Sequence, residues 1–165
     1  LLENRIDVAI RVGRLDDPSL VTRRLAPCKM VLCASPEYLK KHGTPETPED
    51  ISRAPRLAFS QAVSAGDWTI YDPEGSLHRI ESACRITSNN IQLLLESALA
   101  GTGIIYGPSF VFCEHIKKDR LIELLPAYKK TELTIQAVYP SAIRIPFKVR
   151  SFVDFIAEAL RDTQL

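Results

Sequence analysis

Residues 87–108 read Thr87-Ser88-Asn89-Asn90-Ile91-Gln92-Leu93-Leu94-Leu95-Glu96-Ser97-Ala98-Leu99-Ala100-Gly101-Thr102-Gly103-Ile104-Ile105-Tyr106-Gly107-Pro108. Ser88, Asn89 and Asn90 are residue types that cap a helix N-terminus, because their side chains accept hydrogen bonds from backbone N–H groups left unpaired there. Ile91, Leu94, Leu95, Ala98 and Leu99 then recur at steps of three and four, the spacing of one apolar helix face. Gly101 and Gly103 end the helix, since glycine readily takes the left-handed backbone a helix end wants. Ile104-Ile105-Tyr106 is a short apolar strand closed by Gly107-Pro108. A capped, polar helix start is thus followed by a tight return into a buried strand, and the mixed order of strands and helices along the rest of the chain implies an α/β protein with sheets covered by helices. Such a helix start, with its N–H groups and positive dipole end, readily receives an anion or a polar ligand.

Outward from this stretch, strands and helices are mixed. Ile6 to Gly13 is a strand rich in β-branched residues. Leu20 to Ala26 is a second extended segment, interrupted at Pro27, and Lys29 to Ala34 a third. Ser35 to Gly43 is a short helix with serine at the cap, proline at the first position and glycine after the end. Thr47-Pro48-Glu49-Asp50-Ile51 begins another. Arg56 to Ser60 is a strand leading into a polar loop. Asp67 to Tyr71 and Leu77 to Glu81 are antiparallel strands about the turn Asp72-Pro73-Glu74-Gly75-Ser76. Cys84 to Thr87 runs as a strand into the central helix. Ser109 to His115 is a helical turn, Leu121 to Pro126 an edge strand, and Leu133 to Pro140 a strongly alternating strand. Pro146 opens a last helix whose buried face is Val149, Phe152, Val153, Ile156 and Leu160.

With 165 residues, the chain is long enough for one ordinary domain or two small lobes. Hydrophobic and charged fractions of 45% and 25% are those of a globular protein. Twenty-one basic against 20 acidic residues leave a net charge of +1, so no strong field attracts nucleic acid or a membrane surface. DNA binding would have to reside in another domain. No apolar run approaches the roughly 18 residues of a membrane span. Cys28, Cys33, Cys84 and Cys113 lie in or beside apolar runs without a C-x-x-C pair, which fits reduced, buried thiols in a cytoplasmic protein. Leu1-Leu2-Glu3 reads as the tail of a helix already under way, so the sequence is expected to be a piece of something longer.

Six segments then carry a resemblance. Asp7 to Gly13, Leu20 to Leu25 and Val31 to Leu39 resemble the effector-binding domain of LysR-type transcriptional regulators. Ala98 to Pro108 is similar to that family's helix–glycine–strand–proline signature, and Ala137 to Pro140 with Pro146 to Phe155 to its closing strand and last helix. The resemblance implies a periplasmic-binding-protein-like (type II) α/β fold, with two lobes joined by two crossover strands and a small effector in the cleft. It implies lobe I over residues 1–23 and 133–165 and lobe II over 24–132, with the opening of lobe I missing. It also implies a homodimer, an unidentified metabolite as ligand, and DNA contact only through a winged helix-turn-helix absent from this sequence. No membrane partner and no cofactor are expected.

Ligands of open α/β sheets bind beyond the carboxyl ends of strands. Four such ends carry suitable residues: Arg11 and Gly13; Ser60 and Gln61; Ser88, Asn89 and Asn90; and Tyr106. Ser60, Ser88 and Asn89 suit hydrogen bonding to a small polar effector. Arg11 suits a carboxylate, or equally a solvated strand end or an ion pair between lobes. Ser60 and Gln61 also fit an ordinary turn, and Tyr106 the core or a cleft wall. Catalytic readings find no constellation. Gly107-Pro108-Ser109-Phe110-Val111 lacks the second glycine of a nucleophile elbow. Gly101-Thr102-Gly103 follows a helix and so is no dinucleotide loop. His42, His78 and His115 share no metal spacing. Cys28 beside Lys29 is the thiol whose reactivity needs checking, and Trp68 reads as a sheet core residue. The expected function is effector sensing for transcription regulation. The alternative is a solute-binding protein of a transport system, with an enzyme third.

Overall fold

A computed structural model describes residues 6–13, 20–60, 68–81, 83–140 and 146–160. In chain order the elements are β1 (Ala9–Val12), β2 (Leu20–Cys28), β3 (Met30–Ala34), α1 (Pro36–His42), α2 (Pro48–Ser52), β4 (Arg56–Phe59), β5 (Trp68–Tyr71), β6 (Leu77–Ile80), β7 (Cys84–Ser88), α3 (Ile91–Leu99), β8 (Ile104–Pro108), α4 (Ser109–Lys117), β9 (Ile122–Glu123), β10 (Lys129–Lys130), β11 (Leu133–Pro140) and α5 (Phe147–Ala159). They form two compact units: residues Leu1–Lys29 with Glu132–Leu165, and Met30–Thr131. The first seam therefore falls after Lys29, where the sequence suggested Arg23.

The first unit is an antiparallel sheet in the order β1-β11-β2, with α5 on one face. Ala137 and Tyr139 of β11 pack against Val149 and Val153 of α5, with Val8 and Leu25 at the margin. Two expectations change here. Pro27 does not interrupt the second segment, because β2 runs through it to Cys28. β2 is an edge strand, where the N–H that proline lacks is not required, and a register shift in β11 at Ile135/Gln136 lies opposite this part of it. Phe152 is not buried; it is 43% exposed, beside Phe147 and Phe155 on the outer side of α5. Val149 and Val153, one turn apart, suffice to cover so narrow a sheet.

The second unit has a five-stranded sheet in the order β7-β4-β8-β3-β9. β7, β4 and β8 are parallel, and β3 and β9 join antiparallel. Alternation along the strands divides the core. Cys33, Leu57 and Ile105 face Leu94, Leu95 and Ala98 of α3 and Phe112 of α4. Leu32, Ala34 and Ile104 face Tyr38 of α1, Ile51 of α2 and the small sheet β10-β5-β6 through Trp68, Ile70 and Ile80. Trp68 is thus the core residue expected of an antiparallel strand. The expected edge strand from Leu121 to Pro126 shrinks to the two residues of β9, since Leu125 turns the chain with φ at 48°.

Both N-terminal caps foreseen before β4 are present. Ser35 accepts from Tyr38 N, and Thr47 and Asp50 form a reciprocal capping box.

Candidate functional site

The parallel pairing of β4 with β7 aligns Phe59 with Ser88, and Ser60 N donates to Ser88 O at 2.9 Å. This register brings Ser60, Ser88 and Asn89 to one end of the sheet, immediately before the N-terminus of α3. The parallel arrangement that does this buries apolar strand interiors and leaves polar side chains at the carboxyl ends.

Within this group the side chains have different duties. Asn90 is the cap itself: its Oδ1 accepts from Gln92 N at 3.0 Å and Leu93 N at 3.3 Å. Ser88 Oγ accepts from Asn90 N at 3.0 Å. Ser60 and Asn89 are exposed, and their side chains have no hydrogen-bond partner among the described residues. Asn90 is therefore committed to the helix, and Ser60 and Asn89 are the groups available to a visitor. An Asn90→Ala variant is expected to lose about 1 kcal/mol of stability, the usual cost of deleting such a cap, measured by urea unfolding. Gln61 lies outside the described residues.

Tyr106 belongs elsewhere. Its ring packs 5.6 Å from that of Trp68, on the sheet face opposite α3. Its hydroxyl accepts from Thr131 N at 3.2 Å, and Thr131 Oγ1 donates to Thr69 O at 3.3 Å. Desolvation raises its pKa, with the bond from Thr131 opposing. This hydroxyl is occupied in tying the end of the second unit to its own core, the core alternative of the two readings.

Arg11 and Gly13 are in the first unit. Arg11 is exposed in β1 opposite Gln136 and has no side-chain partner among the described residues. Gly13 takes φ of 109°, its N–H donates to Thr134 O, and its carbonyl accepts from Gln136 Nε2 at 2.7 Å. Gly13 is thus a strand end fixed by β11.

The four thiols divide into two kinds. Cys28 and Cys33 are fully buried, and burial pushes them up to about 11 and about 12, with Glu123 adding to the rise at Cys33. Cys28 is no reactive thiolate, despite Lys29. Cys84 is exposed, against the expectation that all four are buried, because it opens an edge strand. Its Sγ accepts from Arg56 Nε at 3.1 Å. A bulky disulfide reagent is expected to label Cys84 first in the native protein and Cys113, which is half-buried, more slowly. Cys28 and Cys33 should react only after denaturant is added, as read by the absorbance of released thiol.

Among the described residues no three His, Cys, Asp or Glu side chains gather in a way that holds a metal ion. Ser109 Oγ and His115 Nδ1 are buried without a partner, but they belong to different turns of α4 and make no joint site. Among the described residues, no helix is long and apolar enough to cross a membrane.

Comparison with known proteins adds findings of three kinds. Residues 1–161 match the model of the LysR substrate binding domain. The chain is 34% identical over 162 residues to the HTH-type transcriptional regulator CrgA of Neisseria meningitidis serogroup B, covering 97% of this chain and 53% of that one. It is 33% identical over 158 residues to the HTH-type transcriptional activator AaeR of Escherichia coli K12, covering 96% and 51%. The chain thus spans about half the length of the curated relatives it matches. Its structure is similar to the CrgA regulatory domain with a TM-score of 0.84 at 32% identity, over 97% of this chain and 78% of that domain.

Proposed function

The chain belongs to the LysR substrate binding domain family, and from that premise we propose that Ser60, Ser88 and Asn89 receive the small effector through which an intact regulator senses a metabolite. The domain is the effector-binding regulatory part of a LysR-type transcriptional regulator, in a type II periplasmic-binding-protein-like α/β fold. The observation that carries the site is the β4–β7 register, which sets two exposed polar side chains, without a protein partner among the described residues, at the N-terminus of α3. That position supplies neutral donors and acceptors together with the positive end of a helix dipole, a setting for a small polar or acidic molecule. Asn90 holds the helix start in place, Ser88 braces it as an acceptor while its hydroxyl hydrogen remains to donate, and together with Ser60 and Asn89 it contacts the ligand.

In the wider reading, the two compact units act as the family's two lobes. Ligand binding then biases their arrangement by its differential affinity for two states. The bias passes to an N-terminal winged helix-turn-helix in a cytoplasmic homodimer. No catalytic step is assigned. The relatives named above are regulators rather than transport components, which favours sensing over solute capture.

The test is a thermal-shift screen of small metabolic acids and polar metabolites on this chain, repeated with Ser60→Ala and Asn89→Ala. A ligand at a hundred times its Kd adds about 2.7 kcal/mol to the native state. The proposal expects a hit that stabilises the parent and loses most of its effect in the variants. A hit that stabilises all three equally overturns the site.

A further inference from the structure

The last residues of the second unit hold a set of polar contacts that the Ser60–Asn89 group does not use. They lead from β9 through β10 to the point where the chain leaves this unit, between Thr131 and Glu132.

Leu125 opens the segment. Its φ of 48° is a conformation that a bulky residue keeps only where its surroundings hold it. Its side chain is buried in the core, and its carbonyl accepts from Tyr128 N at 3.0 Å and from Lys130 Nζ at 2.8 Å. Lys130 is the second unusual member. Its side chain is only 6% exposed, and its ammonium group also donates to Glu123 Oε1 at 2.9 Å. A charge so far from water is tolerated only while its partners are in place. Thr131 completes the set through its N–H to the Tyr106 hydroxyl and its Oγ1 to Thr69 O.

Little else holds this stretch. β10 is two residues long, pairing Lys129 with Tyr71 and Lys130 with Ile70. Pro126, Ala127 and Lys129 are exposed, and the partly buried ring of Tyr128 is the apolar anchor beyond Leu125. A segment with few apolar contacts opens more readily than the sheet around it. It cannot open by halves, because Lys130 parted from Glu123 and still buried would be an uncompensated charge.

We propose that residues 126–131 are a latch on this connection, with Leu125 as its hinge. The latch is either closed with Lys130 buried or open with Lys130 hydrated. Opening releases the Leu125 carbonyl and Thr131, and it lengthens the chain free to join the second unit to β11. In the sensing reading, on which this use alone rests, the latch sets how much chain the two units have for changing their arrangement. The latch itself needs no ligand, so its test is separate from that of the effector site.

The experiment is native-state amide hydrogen exchange of the ligand-free chain, read residue by residue by ¹H–¹⁵N NMR. Tyr128 N and Thr131 N report the latch, and Ile104 N, which donates to Pro55 O, reports the sheet. Tyr128 and Thr131 are expected to share one opening equilibrium, more frequent than that of Ile104. Glu123→Gln replaces a charged acceptor by a neutral one, so both latch amides should exchange about tenfold faster, with Ile104 unchanged. Lys130→Met removes the buried charge and leaves Glu123, which is 36% exposed, to water. Exchange of the latch amides should then equal that of the parent or be slower, whereas a lysine that only ties the segment down would speed it. Faster exchange in Lys130→Met would overturn the proposal. So would latch amides that open only as often as Ile104, openings of Tyr128 and Thr131 that differ from each other, or a Glu123→Gln effect equal at all three amides.

Discussion

Replacing Gly103 by alanine is expected to destabilise the second unit by about 3 kcal/mol, the upper part of the range for forced overpacking. A Cβ at this position would lie 2.5 Å from the carbonyl oxygen of Pro55 and 3.4 Å from Leu57 Cδ2. The closest obstacle is backbone and has little freedom to move. Ile104 N donates to the same oxygen at 3.0 Å, so the approach that excludes a side chain is the one that starts β8 beside β4. Gly107 provides the contrast. Its added Cβ would meet two ring carbons of Phe112 at 3.0 Å, and a ring can tilt. Gly107→Ala should therefore cost clearly less. Trp68 is the chain's one tryptophan and is buried in this unit, so urea unfolding followed by its fluorescence reads the difference directly. Equal stability of Gly103→Ala and the parent would contradict the β4–β8 geometry.

Phe112→Ala is the second large effect, about 3–5 kcal/mol by the behaviour of buried aromatic truncations. Phe112 is fully buried among Leu94, Leu95, Ile105 and Leu121, and joins α4 to α3 and the sheet. The neighbouring Phe110 is 40% exposed on the same helix, and its alanine variant should change stability by well under 1 kcal/mol. The pair tests the helix phase as well as the core. If Phe110→Ala were the costlier of the two, α4 would be rotated from the orientation described.

The parts of this fold legible in the sequence are those governed by local chemistry. The run from Asn90 to Gly101 shows its cap, its apolar face and its stop within a dozen residues, and each has its place in the structure. The β5–β6 hairpin announces itself through Asp72 to Ser76. What the sequence concealed depends on distant neighbours. Pro27 reads as a break until β2 is known to be an edge. Phe152 fits the helical stripe, but the sheet beneath it is only three strands wide. Cys84 sits in an apolar-looking run, yet opens an outer strand.

The site shows the same division. Residue types at strand ends drew attention to Ser60 and Ser88–Asn90, because open parallel sheets expose polar groups there. Which of them is free to bind could not be read, since Asn90 Oδ1 is claimed by Gln92 and Leu93 only once the helix exists. Tyr106 stood at a promising strand end, but strand alternation turns it to the far face.

The central claim is that the carboxyl ends of β4 and β7, with the start of α3, receive the effector. Amide hydrogen exchange, measured with and without a ligand found in the thermal-shift screen, tests it most directly. Increased protection at Ser60 and Asn89 through Leu93, exceeding that elsewhere in the second unit, is the result expected. Bound ligand with unchanged exchange at those amides, and protection confined to other elements, would contradict it.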